Sequence, residues 1–179
     1  MILQQYKIVF AGSMGAGKST AIQTISNIEV LTTEAMNTDV EAHRKSLTTV
    51  GIDYGELILE DGIVVGLYGT PGQERFNFIW NVITEGALGT ILFIDHSTQN
   101  PIQELEYYLD YFKPKSSNII IGITHVDQKS EHTTSIYQDW LDQLDVSLPL
   151  FFVDARHKDD VLFLIDTLIT QTEVLLELN

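Results

Sequence analysis

No cysteine occurs among the 179 residues. That excludes disulfides, zinc–thiolate centres and prenyl or palmitoyl attachment. Basic residues are few: 10 lysines and arginines stand against 25 acidic residues, a formal net charge of −15. A nucleic-acid footprint would be basic, so that class is disfavoured. Electrostatic docking to an anionic lipid surface is disfavoured for the same reason. No apolar run approaches the length of a membrane span. Met1-Ile2-Leu3-Gln4 has neither the charged and apolar regions of a signal peptide nor a glycine after the methionine. The expectation is a cytoplasmic protein without a direct membrane anchor, recruited to membranes only through partners. Repeats, linkers and low-complexity tails are absent too. The five histidines (43, 96, 125, 132 and 157) show no metal-ligand spacing, and no Ser-His-Asp pattern stands out.

What is present is a hydrophobic fraction of 44% with 20% charged residues, ordinary for one globular domain with a sizeable core. Gly12-Ser13-Met14-Gly15-Ala16-Gly17-Lys18-Ser19 reads G-x-x-x-x-G-K-S. In such a loop the glycines let successive amide N–H groups turn inward onto phosphate oxygens. The lysine reaches the outer phosphates and the serine hydroxyl ligates Mg²⁺. The loop follows the apolar run Tyr6 to Ala11 and precedes a helical pattern starting near Gly17. Strand, glycine loop and helix N-terminus in that order form an anion site. Because the chain is strongly acidic, an anionic ligand must be held by these local groups against the overall field.

Apolar runs alternate with amphipathic stretches, which predicts an α/β fold with a six-stranded, mostly parallel sheet, helices on both faces and five main helices. Strands are expected at about Tyr6–Ala11, Ile52–Glu60, Gly62–Tyr68, Gly89–Asp95, Asn118–Thr124 and Pro149–Val153. Asp61-Gly62 is a hairpin signal between the second and third. In the second, Ile52 and Tyr54 alternate, with Leu57 and Leu59 further on. Helices are expected at about Gly17–Asn27, Phe76–Glu85, Pro101–Phe112, Thr133–Leu144 and Asp159–Leu178. In the last, Val161, Leu164, Ile165, Leu168 and Leu175 face the sheet. Glu29 to Lys45 is polar and aperiodic and reads as a loop, long enough to suggest function. Phe76, Ile79, Trp80 and Ile83 fall on one helical face. Phe78 and Val82 lie off it, either packed on a neighbouring helix or forming an exposed patch.

Ligands of open α/β sheets gather at the carboxyl ends of the strands, and here those ends carry further motifs. Gly69-Thr70-Pro71-Gly72-Gln73-Glu74-Arg75-Phe76 follows a strand. Thr49-Val50-Gly51-Ile52-Asp53-Tyr54 lies upstream. Thr124-His125-Val126-Asp127 and Asp154-Ala155-Arg156 lie downstream. With the P-loop, these stretches resemble the Ras-like small GTPases, whose patterns there are D-x-x-G-Q-E, T-I-G-V-D-F in Rab-type members, N/T-K-x-D and S-A-K. The order and approximate spacing match over nearly the whole chain, as for a single G domain spanning residues 1–179. Gly69 stands where the family has aspartate. With a threonine-rich switch I, that makes the chain most similar to the bacterial MglA-type branch, which comprises polarity and motility switches paired with roadblock-domain regulators.

The resemblance implies roles for matching positions only. Gly12, Ser13, Met14, Gly15, Ala16, Gly17 and Lys18 would wrap the phosphates, with Ser19 and Thr49 on Mg²⁺ and Thr20 beside the nucleotide. Gly72 would offer its N–H to the γ-phosphate, and Gln73 would orient the attacking water. Asp127 would accept from guanine N1–H and the 2-amino group, and the Ala155 N–H would face O6. Thr124, His125 and Arg156 complete the base site. His125 replaces a lysine whose stem normally packs over the base, so selectivity rests heavily on Asp127. Glycine at 69 cannot hold Mg²⁺ through a water. Asp53, on the neighbouring strand, either supplies that carboxylate or is an ordinary surface residue. Arg44, Lys45 and Arg75 are each either a solvated charge or a source of positive charge at the γ-phosphate.

The reading implied is a Mg²⁺-dependent GTP/GDP switch with slow hydrolysis. Its mobile segments would be switch I (about Thr38 to Tyr54) and switch II (about Gly69 to Glu85), served by a GTPase-activating regulator and an effector. Two other classes stand beside it: a nucleotide-binding interaction module with negligible hydrolysis, and a P-loop ATPase or kinase.

Overall fold

Seven strands form one sheet in the order β2-β3-β4-β1-β5-β6-β7. The structure is a computed structural model, and it describes residues 6–33, 51–145 and 147–178. The strands are β1 (Tyr6–Ala11), β2 (Leu31–Thr33), β3 (Ile52–Ile58), β4 (Val64–Gly69), β5 (Gly89–Asp95), β6 (Ile119–Thr124) and β7 (Leu150–Phe152). β3 alone runs against the rest, antiparallel to both β2 and β4. The other pairings are parallel. The helices are α1 (Lys18–Ile25), α2 (Asn77–Thr84), α3 (Pro101–Phe112), α4 (Ser135–Leu141) and α5 (Lys158–Glu177), with a 3₁₀ turn over Glu74–Phe76. This is the α/β architecture of a P-loop small G protein, with helices on both faces.

The sheet has seven strands rather than six. The extra one, β2, lies within the polar stretch read as a loop. It is three exposed residues long and is specified by pairing with β3, Thr32 opposite Asp53, so it carries no hydrophobic period. Residues 34–45 of that stretch, Arg44 and Lys45 among them, lie outside the described residues.

Two apolar layers flank the sheet. On one face Ala21, Ile22 and Ile25 of α1 and Val161, Leu164, Ile165 and Leu168 of α5 pack on Ile8, Phe10, Leu67 and Phe93. On the other, Trp80 of α2, Leu105, Leu109 and Phe112 of α3 and Trp140 of α4 cover Leu92, Ile94, Ile121 and Ile123. β1, β5 and β6 are covered on both sides, which is why they read as unbroken apolar runs. Leu175 is not buried against the sheet: it is exposed near the end of α5.

The phase of β3 is opposite to the one its apolar residues suggest. Asp53, Gly55 and Leu57 are its buried face, while Ile52 and Tyr54 are half-buried. α1 decides this by close approach, since a Cβ at Gly55 would lie 2.8 Å from both Ile22 and Ser26. The β3–β4 hairpin closes through Leu59 N–H to Ile63 O at 2.9 Å and Gly62 N–H to Leu59 O at 2.8 Å. Gly62 takes the left-handed conformation there (φ 83°). Among the described residues no helix is long and apolar enough to cross a membrane.

Candidate nucleotide site

The carboxyl ends of β1, β4, β6 and β7 converge on two adjoining clefts. One, about 500 Å³, is lined by the P-loop residues Met14 to Ser19 except Ala16, with Thr32, Asp53, Thr70, Gly72 and Gln73. The other, about 360 Å³, is lined by Thr124 to Gln128, Phe152 to Arg156 and Asp160. Gly17, Thr20 and His125 line both, so the two form one continuous groove.

The loop between β1 and α1 is shaped by the close approach of β5. Gly12 has φ 137°, and a Cβ there would sit 2.2 Å from the Phe93 carbonyl oxygen, so only glycine passes. Lys18 opens α1 and folds back over the loop, donating to the carbonyls of Gly12 at 2.8 Å and Ser13 at 2.6 Å. Burial pushes its ammonium down to about 8, opposed by the nearby Asp53 carboxylate. A strongly acidic protein thus keeps a desolvated cation in this cleft, hydrogen-bonded to carbonyls and close to one carboxylate.

Asp53 is not a surface residue. It is 7% exposed, opposite Gly69 in the β3–β4 ladder. Its Oδ2 accepts from the Ser19 hydroxyl, and its Oδ1 accepts from the Thr32 hydroxyl at 2.8 Å. Thr70, 2% exposed, has a side-chain oxygen with no hydrogen-bond partner among the described residues, and it borders the same cleft. Hydroxyl and carboxylate oxygens so grouped suit a hard cation that keeps waters and takes phosphate oxygens. Among the described residues no three His, Cys, Asp or Glu side chains gather as a protein-only metal cage. Thr49 lies outside the described residues.

The turn after β4 rests on the P-loop. A Cβ at Gly72 would lie 2.3 Å from the Met14 amide nitrogen. The turn is held from behind by fully buried Trp80, whose indole N–H donates to the Pro71 carbonyl at 2.8 Å. Gln73 borders the cleft, and its Oε1 accepts from Arg75 Nε at 2.8 Å. Arg75 itself lies over the Phe76 ring, 4.8 Å from its centroid. Phe78 and Val82 do not pack on a neighbouring helix; they are 61% and 68% exposed.

At the other end of the groove, buried Thr124 donates from Oγ1 to the Ala16 carbonyl at 2.7 Å, tying the β6 loop to the P-loop. His125 has φ 58°. Its ring contacts Thr124 Oγ1 at 2.9 Å and Asp95 Oδ1 at 3.5 Å. Ala155 is buried against Gly17, and its carbonyl accepts from Thr24 at 2.9 Å. Asp127 is more than half exposed and accepts from Arg156.

Every described site residue anticipated from the sequence therefore lies along this groove or in the loops that form it. Thr32, Thr70, Trp80 and Glu104 were not anticipated as site residues. Glu104 accepts from the Ser13 hydroxyl at 3.0 Å across 91 residues of chain, and burial raises its pKa. No local pattern announces such a contact.

No family model matches the chain. Among characterised proteins it is similar to Ras-related protein RIC2 of Oryza sativa, 25% identical over 138 residues, covering 75% of this chain and 58% of that protein. It is 27% identical to Ras-related protein RABA1b of Arabidopsis thaliana, over 70% of this chain and 54% of the relative. An uncharacterized protein of Methanocaldococcus jannaschii is 26% identical over 74% of this chain and 78% of its own length. These similarities support a place in the Ras-like superfamily. The match spans little more than half the length of the two plant relatives.

Proposed function

We propose that this chain is a cytoplasmic, single-domain GTP-binding switch of the Ras-like superfamily that requires Mg²⁺ and hydrolyses GTP slowly to GDP. The observation that carries it is the continuous groove, with a P-loop lysine at one end and the Thr124–Asp127 and Ala155 loops at the other, spanned by Gly17, Thr20 and His125. Lys18 and the amides from Gly12 to Thr20 bind phosphates, Gly72 N–H meets the γ-phosphate, and Gln73 orients the attacking water. Asp127 accepts from the guanine edge, the Ala155 N–H faces O6, and Thr124, His125 and Arg156 frame the base.

Ser19 and Thr49 would hold Mg²⁺, and Asp53 would supply the carboxylate that glycine at 69 cannot. When bound, the ion supplies positive charge against the phosphate oxygens. Asp53 orients the Ser19 hydroxyl, and Thr32 orients Asp53 in turn. Residues 69–85 respond to loss of the γ-phosphate as switch II, and the exposed Phe78 and Val82 offer them an effector contact. The MglA-type branch, a role in bacterial polarity or motility and a roadblock-type regulator follow from the motif resemblance alone.

Competition by GTP, GDP and ATP against a fluorescent GDP analogue, with Mg²⁺ and with chelator, tests this reading. GTP and GDP should displace the probe at least about a hundredfold more effectively than ATP. Equal displacement by ATP would favour a P-loop ATPase and sink the proposal. The tie between Gln73 and Arg75 favours one second reading, an interaction module that binds GTP without turnover. Single-turnover hydrolysis, with and without a regulator, separates the two.

A further inference from the structure

We infer that Arg156 is a positioning residue: it holds the Asp127 carboxylate in the orientation that reads a guanine edge, with Asp154 as its anchor. The inference rests on the role of Asp127 proposed above.

Arg156 is fixed by Asp154 at three points. Its Nε donates to Asp154 Oδ1 at 2.8 Å and its Nη2 to Asp154 Oδ2 at 2.6 Å, a fork on a carboxylate. Its own amide donates to Asp154 Oδ1 at 2.9 Å. Asp154 is seated in turn, with its amide donating to Asp160 Oδ2 at 2.8 Å. The guanidinium is planar and rigid, so this grip sets the direction of the remaining Nη2 hydrogen. It reaches Asp127 Oδ2 at 2.9 Å. The charges respond as such a bridge requires: the Arg156 hydrogen bonds hold Asp154 well below the usual carboxylate range, and Asp154 and then Asp127 raise the guanidinium.

Among the described residues Asp127 makes no other side-chain hydrogen bond or ion pair. It is 57% exposed on the turn after His125, where an unheld carboxylate rotates freely. Guanine presents two parallel donors, N1–H and the 2-amino group, and a match requires both carboxylate oxygens in one plane. Each carboxylate oxygen has two lone pairs, so Oδ2 can accept from Arg156 and from the base together. The bridge therefore orients the acceptor without consuming it. Asp127, Asp154 and Asp160 all line this end of the groove, and Arg156 is its one lysine or arginine.

Charge compensation alone would assist every nucleotide equally, whereas positioning assists the base that uses both oxygens. Inosine lacks the 2-amino group, so the ratio of GDP to IDP affinity reads the geometry of Asp127. Calorimetric titration of GDP, IDP and ADP into wild type, Arg156→Ala, Arg156→Lys, Asp154→Asn and Asp127→Asn, all with Mg²⁺, provides the test. Arg156→Ala should lower the GDP:IDP ratio about tenfold and weaken ADP binding by less than GDP binding. Arg156→Lys, which keeps the charge but not the fork, should recover only part of the ratio. Asp154→Asn should fall between wild type and Arg156→Ala. An equal loss for all three nucleotides in Arg156→Ala, or an unchanged GDP:IDP ratio, would overturn the inference. If Asp127→Asn itself keeps the wild-type guanine preference, the prior reading of Asp127 has failed instead.

Discussion

The Asp53 carboxylate stands where a side chain at Gly69 would project: a Cβ built on Gly69 lies 3.3 Å from Asp53 Cβ and 3.4 Å from its Oδ2. The two residues face each other across neighbouring strands, so one acidic side chain fits there and it comes from β3.

An exchange of the two residues tests that equivalence. Asp53→Gly should raise the Mg²⁺ concentration needed to retain bound nucleotide by about tenfold or more. Gly69→Asp alone should lower the melting temperature, because a second buried carboxylate meets the first. The double variant should return the Mg²⁺ requirement most of the way to wild type. If Asp53→Gly leaves Mg²⁺ dependence untouched, Asp53 has no part in holding the ion.

On the proposed reading, Lys18 should make phosphate binding depend on pH. Burial holds its ammonium down to about 8, and a phosphate partner favours the charged form and raises that value. Binding therefore takes up protons between the two pKa values. Affinity is flat in this group well below pH 8 and falls as pH rises above it. Calorimetry in two buffers of different ionisation enthalpy at pH 8 should show uptake of about half a proton per GDP. Zero uptake at that pH would contradict the buried-cation assignment.

For stability without nucleotide the sign is reversed. The unfolded chain binds the Lys18 proton more tightly than the folded one, so the Lys18 contribution rises with pH between about 8 and the ordinary lysine value. A chemical-denaturation series at pH 7.5, 9 and 10 should resolve this rise against Lys18→Met, which lacks it.

Gln73 and Arg75 separate binding from turnover. Gln73→Leu should leave GTP affinity within about twofold while slowing single-turnover hydrolysis on the order of a hundredfold. Arg75→Ala removes the 2.8 Å tie to Gln73 and should speed the same step. Unaltered hydrolysis in Gln73→Leu would dismiss it as the water-orienting group.

Trp80 gives an optical view of switch II. Its indole N–H holds the Pro71 carbonyl, whereas the indole N–H of Trp140, on α4, donates to Glu106 of α3 at 3.2 Å. Exchange of GDP for a non-hydrolysable GTP analogue should change tryptophan emission, and Trp80→Phe should remove most of the change. A signal that persists in Trp80→Phe would place the moving contact elsewhere.

The parts of the fold legible in the sequence were those with one dominant force. β1, β5 and β6 are apolar because they are covered on both faces, and α3 is bounded by Pro101 and Pro114 in sequence. β3 misled because Asp53 and Gly55, a site carboxylate and a close-contact glycine, occupy the buried positions where a hydrophobic period would be sought. β2 carried no signal, since its three residues are exposed and owe their strand to a partner. Within the site, the glycines and Lys18 announced themselves through spacing. The Arg156 bridge joins loops 29 residues apart, and the Ser13–Glu104 bond joins P-loop to α3; pairings of that kind belong to the fold rather than to any window of sequence.

The hydroxyl of Thr124 donates to the Ala16 carbonyl, so the loop after β6 and the loop after β1 share a rivet. On the proposed reading, movement of either loop should then pull on the other. A regulator acting at either end would loosen both, and nucleotide exchange would be driven from a surface away from the γ-phosphate.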